Sequence, residues 1–317
     1  MPPRTTRAVE AADADAPRTG TKARSRQTAR QQKEQPARMM EATVEIEEVT
    51  LASIVTSTNI LIQGPPGGGK TALAGGAPNA VFLSTEIEGA ISAAISGSHA
   101  RLWPAPSWEY CVAGIKKAEE ELGPEDWLIV DSGTNMQEMY MRWIMDSLVA
   151  SSPHRDLDIP SPAEHQKYQN GFKRWYNRII KMKANTIFIT NSMTVDDDEG
   201  NPRTIPLILG KKGEISDYIS AQAGVVLYYA VSRESRENEA VGPDVIRRAL
   251  AQPFPPWLAK DRYSALGTAW DVPHGDYTAM ARMIDAIDRA KKEMKNKDVR
   301  GPAPAVRRAV RPRRAAR

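Results

Sequence analysis

The segment Gly64-Pro65-Pro66-Gly67-Gly68-Gly69-Lys70-Thr71 constrains this chain more than any other. It follows the apolar run Ile60-Leu61-Ile62 and leads into the helix-compatible Thr71-Ala72-Leu73-Ala74. A buried strand, a glycine-rich turn and a helix start, in that order, form the setting in which G-x-x-x-x-G-K-[ST] works as a phosphate-binding loop. Glycines let the backbone close around a phosphate with its N–H groups turned inward, and the following helix offers its positive end to the same anion. The expected nucleotide contacts are Gly64, Pro65, Pro66, Gly67, Gly68, Gly69, Lys70, Thr71 and Ala72. Lys70 is expected to bridge the β- and γ-phosphates of ATP, and Thr71 to ligate Mg²⁺.

Such a loop needs a further carboxylate for the metal, usually at the end of an apolar strand. Trp127-Leu128-Ile129-Val130-Asp131 supplies it about 60 residues downstream, so Asp131 is the second expected metal ligand, with Ser132 beside it as a possible hydroxyl partner. Other short β-rich runs are Asn59 to Gln63, Ala80 to Thr85, Thr186 to Asn191, Gly224 to Val231 and Val245 to Leu250. Helical patterns start at Lys70, near Ser107, near Thr134, near Ala163 and at Tyr277. This alternation predicts an α/β fold with a mostly parallel sheet and helices on both faces. Tyr168, Phe172, Trp175, Tyr176, Ile179 and Ile180 recur at spacings of three and four, the mark of a helix face in the core rather than a base-stacking platform.

The net charge of +4 hides an asymmetry. Residues 1–40 hold 9 Lys/Arg against 4 Asp/Glu and residues 291–317 hold 11 against 2, which leaves residues 41–290 with an excess of ten acidic charges. Both ends lack large apolar side chains and are expected to be disordered basic arms flanking one ATPase domain over 41–290. Cys111, the single cysteine, excludes a disulfide framework and a Cys-rich zinc site, and is expected half-buried on a helix. No run has the length of a membrane span and the Met1 end lacks a signal peptide's apolar stretch, so a cytoplasmic protein without a membrane partner is expected.

AAA-type ATPases carry a Glu directly after the metal-binding Asp, and here Ser132 holds that place. The run Phe82-Leu83-Ser84-Thr85-Glu86 puts an acidic residue at a strand end within reach of the γ-phosphate, which makes Glu86 the candidate base and Glu88 its reserve. In this order of motifs, GPPGGGKT, FLSTE, WLIVDS and TIFITNS, the chain resembles the RecA family. Asn191 stands where RecA-like proteins place a polar γ-phosphate sensor. More narrowly, it is similar to phage-encoded RecA-like ATPases of the single-strand-annealing type, through Pro206-Leu207-Ile208-Leu209-Gly210 and Ala259-Lys260-Asp261-Arg262. The resemblance covers roughly residues 55–290 and leaves out both tails.

It implies a RecA-like P-loop NTPase core, a ring or filament of identical subunits with nucleotide between them, and a phage protein in the host cytoplasm. It also implies single-stranded DNA as the polymer partner, single-strand-binding protein as a further one, and Arg262 or Lys260 as a cation acting on the neighbour's phosphates. Asn191-Ser192 departs from the Asn-Gln pair of bacterial RecA, and the acidic run Asp196-Asp197-Asp198-Glu199 falls where a DNA loop is implied, although Arg203, Lys211 and Lys212 follow. The basic tail offers a separate, salt-sensitive route to DNA. Two other classes share the loop. One is a nucleotide-gated scaffold or loader in replication; the other is a small-molecule kinase, for which Arg247-Arg248 is too small a mid-chain cluster to form a lid.

Overall fold

The computed structural model describes residues 57–149, 152, 154, 156–234, 244–273 and 275–299. The ten strands are β1 (Asn59–Gly64), β2 (Ala80–Ser84), β3 (Arg101–Pro104), β4 (Trp127–Asp131), β5 (Asn185–Asp196), β6 (Pro202–Pro206), β7 (Val225–Glu234), β8 (Asp244–Leu250), β9 (Lys260–Asp261) and β10 (Ala269–Val272). The helices are α1 (Lys70–Ala74), α2 (Ile87–Ile95), α3 (Trp108–Glu121), α4 (Gly133–Val149), α5 (Pro162–Ile180), α6 (Glu214–Gln222) and α7 (Ala279–Val299).

The strands share one sheet in the order β10-β8-β7-β1-β5-β4-β2-β3, with β6 on β5 and β9 on β7. From β3 to β7 every pairing is parallel, while β8, β10, β6 and β9 run antiparallel. The central runs ILI, VFL, LIV and IFI are apolar without alternation because both faces are covered, as parallel sheets require. On one face Leu73 of α1, Ala93 of α2 and Met280, Met283 and Ile287 of α7 pack on Ile60, Ile62, Ile129 and Ile189. On the other, α3, α4, α5 and α6 pack on Leu61, Leu128, Val130 and Phe188. The aromatic stripe of α5 is core there: Tyr168, Phe172, Tyr176 and Ile179 are buried, and Trp175 and Ile180 pack against them.

Several elements differ from expectation. The expected strand Thr186 to Asn191 runs on to Asp196 as half of a hairpin with β6, whose turn carries the acidic run. Asp197 closes that turn by accepting from the backbone N–H groups of Glu199 (2.9 Å) and Asn201 (2.8 Å), an Asx-type turn. Helix α7 starts at Ala279, two residues after Tyr277, and continues to Val299, past the expected domain end at 290. Residues 291–299 are therefore helical: Lys291 packs its ammonium 5.1 Å from the Tyr263 ring centre and donates to Thr58 Oγ1. Cys111 is fully rather than half buried, which pushes its thiol up to about 12 and leaves it without nucleophilic character. The arm over 1–40 and the rest of the basic tail, 300–317, lie outside the described residues. No helix among the described residues is long and apolar enough to cross a membrane.

Candidate nucleotide-binding site

The sheet order decides the site, because β5 lies between β1 and β4 and β2 lies on the far side of β4. The C-terminal ends of these four neighbouring parallel strands deliver Gly64, Asn191, Asp131 and Glu86 to one edge, the place where open α/β sheets hold ligands. After β1 the chain turns through Gly67 (φ 72°) and Gly69 (φ 85°), left-handed conformations that suit glycine, and enters α1 at Lys70.

Lys70 is buried, and its ammonium donates to the carbonyls of Gly64 (3.0 Å) and Pro65 (2.8 Å) and to Asn191 Oδ1 (3.1 Å). Burial pushes this ammonium down to about 8, against the attraction of Asp131. Thr71 Oγ1 donates to Asp131 Oδ2 at 2.7 Å, so the two expected metal ligands face each other. Burial drives the Asp131 carboxyl above the usual carboxylate range; Glu86 adds to this, and the Thr71 hydrogen bond and Lys70 oppose it. A buried carboxylate disfavoured by its surroundings, with a hydroxyl beside it, fits a divalent cation. Among the described residues no group of three or more His, Cys, Asp or Glu could hold a metal by itself.

Glu86 is exposed and stands at the N-cap of α2, where its carboxylate accepts from Asn135 Nδ2 on α4. Ser132 makes its side-chain and N–H hydrogen bonds with partners other than Thr71 and Asp131. Its hydroxyl accepts from the Asn135 backbone N–H at 3.3 Å, and its own N–H donates to Thr85 Oγ1 at 3.1 Å, tying the ends of β2 and β4 together.

A model of a family described as "AAA domain" matches residues 56–263, about two thirds of the chain. The chain belongs to this AAA domain family. Among solved structures, the flagellar accessory protein FlaH from Methanocaldococcus jannaschii is similar at 14% identity, over 62% of this chain and 78% of that one, with a TM-score of 0.30. No curated protein matches the chain. Membership makes this AAA domain a nucleotide-binding P-loop ATPase, and the geometry places Lys70, Thr71, Asp131, Asn191 and Glu86 around one edge.

Lys260 and Arg262 are not part of that edge. Lys260 Nζ donates to the carbonyls of Ser220 (2.6 Å) and Ala221 (3.1 Å), and Arg262 also donates to Ala221 O, so both cap the C-terminus of α6. Arg262 N bonds Gly224 O and Gly224 N bonds Asn59 O, which sets this corner at the start of β1 while the phosphate loop follows its end. Glu88 lies in the first turn of α2, exposed.

Three polar residues of the AAA domain escaped the sequence reading. Asn135 orients Glu86; Thr134 Oγ1 accepts from the Asn191 backbone N–H (3.0 Å) and donates to Leu207 O (3.2 Å). Gln137, fully buried, donates to the same carbonyl (3.2 Å) and accepts from Tyr168 OH (2.8 Å) and Leu209 N. The Pro206 to Gly210 segment is thus strapped to the first turns of α4 and to the middle of β5, where its pairing with β1 ends, since Leu207 N also donates to Asn191 O at 2.7 Å. The signal available in sequence was a polar i, i+1, i+3 set, Thr134, Asn135 and Gln137, at the start of an amphipathic helix.

Proposed function

We propose that this chain is a Mg²⁺-dependent ATPase that works as an assembly of identical subunits on single-stranded DNA, as a recombination or strand-annealing protein of phage type. The observation that carries the hydrolytic part is the strand order β1-β5-β4-β2, which sets Asn191 on β5 between Lys70 and Asp131 and brings Glu86, just past β2, to the other side of Asp131. Glu86 takes a proton from the attacking water and Asn191, bonded to Lys70, reads the terminal phosphate; Thr71 and Asp131 would hold the metal, which would supply positive charge against the phosphates. Asn135 fixes the carboxylate of Glu86. Asn135→Ala is expected to lower turnover about tenfold with nucleotide affinity unchanged, and Asn135→Gln to recover part of it. Equal turnover in wild type and Asn135→Ala, measured at saturating ATP, would count against that positioning.

Assembly is supported by α2, which begins beside Glu86 and exposes Ile87 (54%), Ile91 (52%) and Ile95 (82%) at successive turns. An apolar stripe of this kind marks a protein contact. In that contact Lys260 or Arg262 of a neighbour would leave its α6 cap for the phosphates, which neither reaches within its own subunit. The DNA part rests on the RecA resemblance and the basic ends of the sequence. The rival reading, a nucleotide-gated scaffold, is favoured by the exposed acidic turn at Asp196 to Glu199, which repels a phosphate backbone.

One comparison separates them: ATPase with and without a single-stranded oligonucleotide, and mass by light scattering with and without nucleotide. Stimulation by DNA together with nucleotide-dependent growth in mass is expected, and Arg262→Ala should lose turnover while each chain still binds nucleotide. Turnover indifferent to DNA would overturn the recombination reading in favour of the scaffold.

A further inference from the structure

Strands β7 and β8 reach past the end of β1. Tyr228 pairs with Gln63 of β1 and with Leu250 of β8, and three residues further on Val231 pairs with Arg247. Residues directly opposed or two apart share a face of the sheet, so Arg247 lies with Tyr229 and Ala249 on the α1 side, above the phosphate loop. Arg248 points to the other face, where it pairs with Asp271 at 2.6 Å. The two arginines adjacent in sequence therefore have unrelated surroundings.

Arg247 lies against the loop itself. A Cβ built on Gly69 would stand 2.9 Å from Arg247 Nε and 3.5 Å from its Cζ. Beside this contact opens a cavity of about 170 Å³ lined by Gly69, Ala72, Tyr229, Arg247, Pro273 and Tyr277. Asp276 also borders it, but that carboxylate accepts from Thr278 N (3.0 Å) and Oγ1 (2.8 Å) and from Arg282, which turns its charge toward the start of α7.

Lys70 serves the opposite flank of the loop, where it meets Gly64, Pro65 and Asn191 next to Asp131. A triphosphate whose terminal end lies there has its sugar-proximal phosphates toward Gly69 and its nucleoside beyond them. We infer that Arg247 is a second cation of the nucleotide site, supplied in cis by β8 to the phosphates nearest the sugar, and that the cavity beside it takes the nucleoside, with Tyr277 and Pro273 as its apolar walls. A planar guanidinium gives two parallel hydrogen bonds to a phosphate, which an ammonium cannot. Tyr277 is half exposed and stands over Gly97, whose Cβ position lies 3.5 Å from its ring, so the ring has a firm backing and a free face. The inference rests on the phosphate loop being the nucleotide site.

The test is calorimetric binding of Mg-ADP, Mg-ATP and inorganic pyrophosphate to the full chain. Arg247→Ala is expected to weaken ADP and ATP at least about tenfold, Arg247→Lys to recover part of the loss, and Arg248→Ala to bind as wild type. Tyr277→Ala is expected to weaken ADP while pyrophosphate binding stays the same. If Arg247→Ala and Arg247→Lys bind ADP as wild type does while Lys70→Ala does not, the role of Arg247 is overturned and the phosphate loop stands. If Lys70→Ala also binds normally, it is the nucleotide-site reading that fails. Equal losses of ADP and pyrophosphate in Tyr277→Ala would remove the nucleoside cavity.

Discussion

Glu86→Gln is expected to bind Mg-ATP as tightly as wild type and to hydrolyse it about a hundredfold more slowly or worse. Glutamine keeps the length of the side chain and an oxygen for Asn135 Nδ2, so the geometry at the end of β2 survives. What it lacks is a site that can accept the proton of the attacking water. Ser132, not an acidic residue, directly follows Asp131, so no carboxylate at that position stands ready to compensate. Single-turnover hydrolysis measured beside the dissociation constant separates chemistry from binding. Wild-type turnover in Glu86→Gln would transfer the base to Glu88, in the first turn of α2, or elsewhere.

The second large effect concerns the first glycine of the loop. Gly64→Ala is expected to destabilise the protein by about 3 kcal/mol or more, a fall of roughly 6–12 °C in Tm for a domain of this size, and to weaken nucleotide binding with it. A Cβ at Gly64 would stand 2.0 Å from the carbonyl oxygen of Tyr229, a backbone atom fixed by pairing of β7 with both β1 and β8. No side-chain adjustment relieves that contact; the strands themselves must part. Gly67 is a useful contrast, since nothing lies within 4 Å of its Cβ position and only its φ of +72° opposes a side chain. Gly67→Ala is therefore expected to cost about 1–2 kcal/mol. Thermal melts of the two variants test the ranking. A Gly64→Ala protein that melts with Gly67→Ala would mean that backbone conformation, not the approach of β7, sets the requirement.

The parts of this site that could be read in sequence are those whose chemistry is local. The phosphate loop is contiguous, and Asp131 and Glu86 each end a run of apolar β-formers, a pattern that fixes both their secondary structure and the sheet edge they reach. Lys260 and Arg262 show the limit of such reasoning. Their charge is plain in the sequence, but only the return of β9 beside β7 places them over the open end of α6. Arg247 and Arg248 show the same limit from the other side: as neighbours they read as a minor cluster, and strand alternation sends one to the loop and the other to Asp271. Helix α2 is short, its isoleucines face outward and its remaining residues are mostly Ala, Gly and Ser, so it carries little helical signal. Strand β3 was missed because it is a short, largely exposed edge. The extension of β5 into a hairpin was hidden by the acidic turn, whose composition reads as loop.

The place of β1 in the sheet has a mechanical meaning. It is held on one side by β5, within the parallel half of the sheet, and on the other by β7, which leads straight into the antiparallel β8 and β10. The phosphate loop thus grows one strand away from β7, where the parallel part of the sheet gives way to the antiparallel part, and a Cβ on Gly64 would meet the carbonyl of that strand. A load placed on the β7–β8 hairpin would be transmitted to the loop through one hydrogen-bonded ladder, with no joint between to absorb it.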